Sequence, residues 1–345
     1  MAIAGGGIIG LSVALELASA GLQVTILERS QAMAEASSAA AGMLAASDPE
    51  NMAGLASLAE LSRRLYPQFL ANVEQLSGEC VPIRTTTAIQ GTTRAPEGRR
   101  ELSAAELEEV APGVNRGDLK FFALEEASLD PRDLARALPK AVGAAGIALM
   151  ENTEVTRVSE RGGRVEIETS AGRWSADNLV HASGAWAAKL TGLPVAPRKG
   201  QMVVVEENGL PRLKVVLRTP EIYLVPRGDG RIVIGATVED AGFDKCLDEA
   251  AIEGLLDAAA QLWPPVRQAR RVEAWAGLRP VTMDELPVID ACGERSWVAA
   301  GHFRNGILLA PGTARLIREM ILGERLSVDA TGFRCGRFTA SGVHC

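Results

Sequence analysis

Aromatic residues are scarce in this chain, 4% of 345 positions, and only two are tyrosines. Histidine occurs three times, at His181, His302 and His344. The five cysteines, Cys80, Cys246, Cys292, Cys335 and Cys345, are odd in number and scattered, with no CxxC pair. Neither a zinc site nor a disulfide framework is implied, so no metal is expected; free thiols in a reducing cytoplasm are. The net charge of −7 and the lack of a Lys/Arg cluster argue against a nucleic-acid partner. No apolar run reaches the length a membrane helix needs. No basic segment precedes an apolar core at the N-terminus, so a secretory signal is not expected either.

What remains is ordinary for a globular protein, 47% apolar and 23% charged, and long enough for two domains. The most informative stretch is Gly5-Gly6-Gly7-Ile8-Ile9-Gly10, with Glu28 following 18 residues after the last glycine. Residues 1–28 read as a short strand, a glycine turn, a helix and a second strand ending in an acid. In a Rossmann βαβ unit Gly5 makes the tight turn, Gly7 lets backbone approach a pyrophosphate, and Gly10 lets helix and strand pack closely. The helix N-terminus offers free N–H groups to phosphates, and Glu28 is placed to accept from ribose hydroxyls. Ile8, Leu11, Leu15 and Ala18 form one apolar helix face. Gly21 sits where a C-terminal cap belongs, and Val24–Leu27 reads as a buried parallel strand. On this evidence the ligand is any dinucleotide, NAD included, and the bland alternative is a glycine turn that binds nothing.

The small residues Ala36–Leu44 suit close backbone packing of the kind a cofactor needs. A helical pattern covers about residues 54–77, and Asp130-Pro131 opens a helix to about Ala145. Strands are expected at Ala148–Met150, Glu154–Ser159, Val165–Thr169 (after a turn at Arg161–Arg164) and Asn178–Ala182. The middle is β-rich: Gln201–Glu206, Val215–Arg218, Ile222–Val225, Arg231–Gly235 and Arg271–Leu278, with a turn at Gly228-Asp229-Gly230 and a helix near Asp248–Leu262. Strand Trp297–Ala300 and a helix near Gly306–Leu322 return to the α/β pattern. The expected fold class is α/β: a Rossmann-like nucleotide domain (1–82, 127–197, 277–335), interrupted by an antiparallel-sheet, α+β substrate domain (83–126, 198–276). A tail, 336–345, is expected to be mobile after about Phe338.

Arg279 is a natural partner for a substrate carboxylate, since a bidentate Arg–carboxylate pair gives orientation as well as energy. Its expected place is just past a strand, at a domain junction. Tyr223 offers a hydroxyl to the same group. Each has a structural alternative: an ion pair from Arg279 to Asp284 or Glu285, and a core role for Tyr223. Arg304 could cap a strand–helix turn. His302 as a lone histidine reads as structural rather than as a base.

The motifs together resemble the D-amino-acid-oxidase-like flavoproteins, and within them the bacterial glycine oxidases of the thiamine-biosynthesis type. The resemblance spans nearly the whole chain. It rests on GGGIIG with Glu28, Ser37–Leu44, Ser128–Leu134, Tyr223–Arg227, Gly277–Pro280 and, most specifically, Gly301–Gly312. It implies non-covalent FAD, a small amino-acid substrate, O2 as acceptor, a homotetramer and a role in thiazole formation. It implies cofactor contacts from Gly5, Gly7, Ile8, Ile9, Gly10, Glu28, Arg29, Ser37, Ser38, Ala41, Gly42 and Met43. Further contacts come from Val155, Ser183, Gly184, Trp186 and His302, Phe303, Arg304, Asn305, Gly306 and Ile307. Tyr223 and Arg279 match the family's carboxylate binders and Arg304 a second polar contact. Val238 is a departure, a shorter side chain where the family carries methionine beside the substrate. Competing readings are a D-amino-acid or sarcosine dehydrogenase with another electron acceptor, and a flavin-binding module without turnover.

Overall fold

The computed structural model describes residues 1–94, 98–206, 209 and 212–341. Its first layer is a six-stranded sheet in the order Val288–Ala291, Ser296–Ala300, Leu179–His181, Ala2–Ala4, Thr25–Leu27, Ala148–Met150. All neighbours are parallel except the first pair. Parallel strands need crossovers, and the crossovers put helices on a sheet face. Helices Ile8–Ser19, Ala56–Ser77, Pro131–Ala144 and Gly306–Leu322 pack on one side, burying Ile3, Ile26 and Val180 with Leu11, Leu58, Leu134 and Leu308. The other side is covered by the antiparallel strands Val155–Arg161, Arg164–Thr169 and Gly172–Ala176. Val165 and Ile167 close there on Ala2, Ala4 and Leu27. The Gly162-Gly163 turn between the first two has both φ positive, +56° and +73°, as a two-residue hairpin with the favoured twist requires.

The first helix is buried more broadly than one face. Val13, Ala14 and Leu17 are fully buried, whereas Leu15 and Ala18 are only partly so. The reason is that this helix lies between its own sheet and the last helix, which packs along it.

The second layer is a seven-stranded sheet, ordered Arg270–Thr282, Val195–Glu206, Arg231–Gly235, Tyr223–Pro226, Val216–Arg218, Ala88–Thr92, Lys120–Leu124. It is antiparallel except between Val216–Arg218 and Ala88–Thr92, which run parallel. The expected all-antiparallel sheet is therefore mixed, because Ala88–Thr92 arrives from an earlier, separate excursion of the chain. Helices Ala104–Val110 and Glu249–Leu262 cover its outer face with Trp263, Phe121 and Leu224. Its inner face, with Met202, Val204, Val225 and Val233, turns toward the first layer.

Strand Arg270–Thr282 is longer than the expected Arg271–Leu278 and contains Arg279 rather than ending before it. Pro280 lies opposite Pro197 in the register, and the strand is at the sheet edge, where a missing N–H is tolerated. Residues 36–44 cross between the layers. Arg227 donates to the carbonyls of Ala41 and Leu129, and the Trp275 indole donates to that of Ala39.

The tail is not loose at Phe338, which is buried against Val288, Val298 and Ala300. Arg337 pairs with Asp284 at 2.7 Å, and the Cys335 N–H donates to Asp290. The last part of the expected tail, 342–345, including His344 and Cys345, lies outside the described residues. Among the described residues no helix is long and apolar enough to cross a membrane.

Candidate functional site

A single long cavity runs between the two layers, from the glycine turn to the inner face of the seven-stranded sheet. Its first end is built by backbone. Gly5 has φ +115°, and a Cβ there would collide with the carbonyl of Ala182. A Cβ on Gly10 would overlap the Gly5 carbonyl, so the absence of side chains is what lets helix and strand meet. Gly7 is the helix N-cap and faces the cavity. The Ile8 N–H is met by Ser37 Oγ at 2.9 Å, so residue 37 closes over the helix start.

Glu28 is buried at the end of the second strand. Its Oε2 accepts from the Gly6 N–H at 2.7 Å, and its Oε1 from the N–H and hydroxyl of Ser30. The carboxylate braces the turn, and it lines the cavity with Arg29, Val155, Ser183, Gly184 and Trp186. Arg29 lies 3.4 Å above the Trp186 ring and pairs with Glu35 at 2.6 Å, while Phe243 stacks on the same indole.

Ala41, Gly42 and Met43 line the middle of the cavity with His302, Phe303, Asn305, Gly306 and Ile307. His302 is buried, its Nε2 is 3.0 Å from Thr313 Oγ1, and burial holds its pKa down to about 3. It stays neutral, which suits a wall rather than a base. Two of the expected cofactor residues do not face the cavity. Gly10 acts through helix packing, and the Ser38 hydroxyl turns back to the Glu35 carbonyl.

At the far end Tyr223 and Arg279 come together. Arg279 projects from the edge strand across Gly200, where any Cβ would overlap the guanidinium. Its Nη1 donates to the Thr237 carbonyl at 3.0 Å. Among the described residues it has no ion pair; Asp284, an alternative partner, is taken by Arg337. A Cβ on Gly235 would lie 2.6 Å from the Tyr223 hydroxyl, so two glycines leave the slots in which the clamp side chains lie. Burial raises the Tyr223 pKa, opposed by the Arg279 guanidinium, so the phenol stays protonated. Its hydroxyl donates to the Met202 sulfur at 3.3 Å, a weak acceptor, and lies beside the Arg279 guanidinium.

Arg304 lines the cavity but is exposed, and its Nη2 donates to the Glu50 carbonyl at 2.8 Å. Val238 lines the rim and is 59% exposed. Sequence reasoning missed Gly200 and Gly235, which carry no chemistry of their own. It also missed Arg218, Gln90 and Asp48, polar side chains that line the cavity beyond Tyr223.

The residues present fit the flavin dinucleotide that the resemblance implies. The glycine turn is a backbone cradle that a Cβ would fill. Next to it the Ser183 hydroxyl is buried without a hydrogen-bond partner among the described residues, an unmet polar group of the kind that a bound ligand satisfies.

Comparison with known proteins gives the chain its family. The model of a family described as FAD dependent oxidoreductase matches residues 1–320. A bifunctional protein ThiO/ThiG of Trichormus variabilis is 38% identical over 359 residues, covering 97% of this chain and 54% of that protein. The chain thus spans about half the length of the bifunctional relatives it matches. A glycine oxidase of Geobacillus kaustophilus is 34% identical over 365 residues, covering 98% of this chain and 96% of the oxidase. The crystal structure of glycine oxidase from that organism has a TM-score of 0.92 at 33% identity, covering 97% of this chain and 98% of its own.

Proposed function

The chain belongs to the FAD-dependent oxidoreductases, and from that premise we propose that it oxidises glycine or a comparably small amino acid with O2. The observation that carries this reading is Arg279, a cation without an acid partner among the described residues, beside the protonated Tyr223 in the cavity that begins at the glycine turn. A carboxylate is the ligand such a pair is built to hold. A charge-assisted bond of this type contributes about 1.5–3 kcal/mol, and the guanidinium fork fixes orientation.

With the carboxylate held there, the rest of a small substrate lies toward Met43, His302 and Phe303. Bound FAD supplies the two-electron acceptor for the hydride leaving the substrate Cα. The protein's part is positioning. Hydride transfer needs no side-chain base, and His302, buried and engaged with Thr313, does not serve as one. The substrate must therefore arrive as the neutral amine, and its imine product is hydrolysed by water afterwards. For glycine, one O2 and one water are consumed and glyoxylate, ammonia and hydrogen peroxide are formed.

The remainder of the reading rests on the resemblance: non-covalent FAD, a homotetramer, a cytoplasmic location, supply of the imine for thiazole formation, and division into a cofactor and a substrate domain. Peroxide production from a panel of glycine, sarcosine and D-alanine by the purified FAD-loaded protein tests it. Peroxide from at least one, rising with pH as the ammonium is lost, is expected. Substrate reduction of the flavin with slow reoxidation in air would instead indicate a dehydrogenase using another acceptor.

A further inference from the structure

We propose that Arg218 heads a second anion-binding subsite in this cavity, taking a second acidic group of a molecule whose first carboxylate lies on Tyr223 and Arg279. The proposal rests on the carboxylate clamp described above. Its basis is a row of side chains across the seven-stranded sheet. Gln90 is in register with Arg218, Arg218 with Tyr223, and Tyr223 with Gly235. Residues directly opposite share a face and lie about 5 Å apart at Cβ. Arg218 is thus the immediate neighbour of Tyr223 on the side away from Arg279, and both line the cavity.

The guanidinium is buried, with 3% of the residue exposed, and incompletely used. Its Nε donates to Gln90 Oε1 at 2.6 Å. Nη1 is 2.8 Å from Glu126 Oε2 but off the line of a hydrogen bond, and neither Nη1 nor Nη2 has a hydrogen-bond partner among the described residues. Buried donors are normally satisfied, and an Arg fork whose terminal nitrogens lack hydrogen bonds matches a carboxylate.

Two acids face Arg218. Glu126 is buried behind it and does not line the cavity, and desolvation pushes its carboxyl toward the neutral form. Asp48 does line the cavity, and its Oδ2 stands 3.6 Å from Nη1, a long ion pair. Asp48 occupies the position of the ligand's second acid, which would displace it.

The test uses the FAD-loaded protein without turnover, following the visible flavin spectrum during titration with acetate, malonate and succinate. The variants are Arg218→Met and Asp48→Asn, the latter keeping an oxygen for the bond that the Glu50 N–H donates to Asp48 Oδ1. The affinity ratio of the better dicarboxylate to acetate should fall about tenfold or more in Arg218→Met and rise in Asp48→Asn, with acetate itself little changed. Should Arg218→Met not fold, Asp48→Asn alone decides. Acetate binding with an unchanged ratio in Asp48→Asn overturns the subsite and leaves the clamp standing. A wild-type flavin that responds to none of the three acids overturns the clamp and the subsite together.

Discussion

Arg279 can serve a ligand because its surroundings leave its charge unspent. The acid five residues on, Asp284, is held by Arg337 from the C-terminal turn, and the guanidinium rests on a glycine. Arg279→Ala should weaken carboxylate binding by about 1.5–3 kcal/mol, roughly tenfold to a hundredfold in affinity, with FAD retained. Steady-state kinetics and the flavin spectrum check both halves. Gly200→Ala should act in the same direction with Arg279 still present, because the new methyl takes the space of the guanidinium. A raised KM with a normal flavin spectrum is expected. Tyr223 and Arg279 were legible in the sequence through their motifs and through the need of an amino acid for a cation. Gly200 was not, because its role is to be empty where a residue 79 positions away arrives. Arg218 was hidden for another reason: a charge at the end of an apolar strand reads as the point where the chain meets solvent.

At the level of elements, the nucleotide-binding half follows from the sequence because its signals are local. The glycine turn, the helix after it and the acid ending the second strand lie within 28 residues. Gly10→Ala tests that unit. Its methyl would overlap the Gly5 carbonyl, so the helix must move off the strand, and overpacking of this kind costs about 1–3 kcal/mol. FAD content and melting temperature should both fall, measured by absorbance ratio and by calorimetry. The sheet of the other half was less legible. Ala88–Thr92 holds a glutamine and a glycine, and its neighbour Val216–Arg218 comes from far along the chain. Such pairing is decided by tertiary packing rather than by local pattern. The full length of Arg270–Thr282 was concealed by Arg279-Pro280, which reads as a strand end unless the edge position and the facing Pro197 are known.

Across the whole molecule, two buried histidines make stability depend on pH. Burial lowers His302 to about 3 and His181 to about 4, from an ordinary 6.5. The unfolded chain therefore binds more protons than the folded one between these values and 6.5. Stability is fully present above about pH 6.5 and is lost as pH falls toward 3–4. Urea unfolding at pH 5 and 7.5 should show lower stability at pH 5, and His302→Gln should narrow the difference. Direct ties between the two layers include Arg132 with Glu273 at 2.8 Å and the Arg227 bonds to residues 41 and 129. FAD in the cavity between them binds the folded state only, so free FAD at 100 times its Kd should add about 2.7 kcal/mol to stability. Removing it should lower the melting temperature reversibly.

The central claim, an amine-oxidising site with its carboxylate clamp at Tyr223 and Arg279, is tested most directly by adding glycine, sarcosine or D-alanine to the FAD-loaded protein without oxygen. The account predicts loss of the oxidised flavin's visible absorption with at least one of them, and a much higher concentration needed in Arg279→Ala. A wild-type flavin that keeps its oxidised spectrum with all three would contradict it.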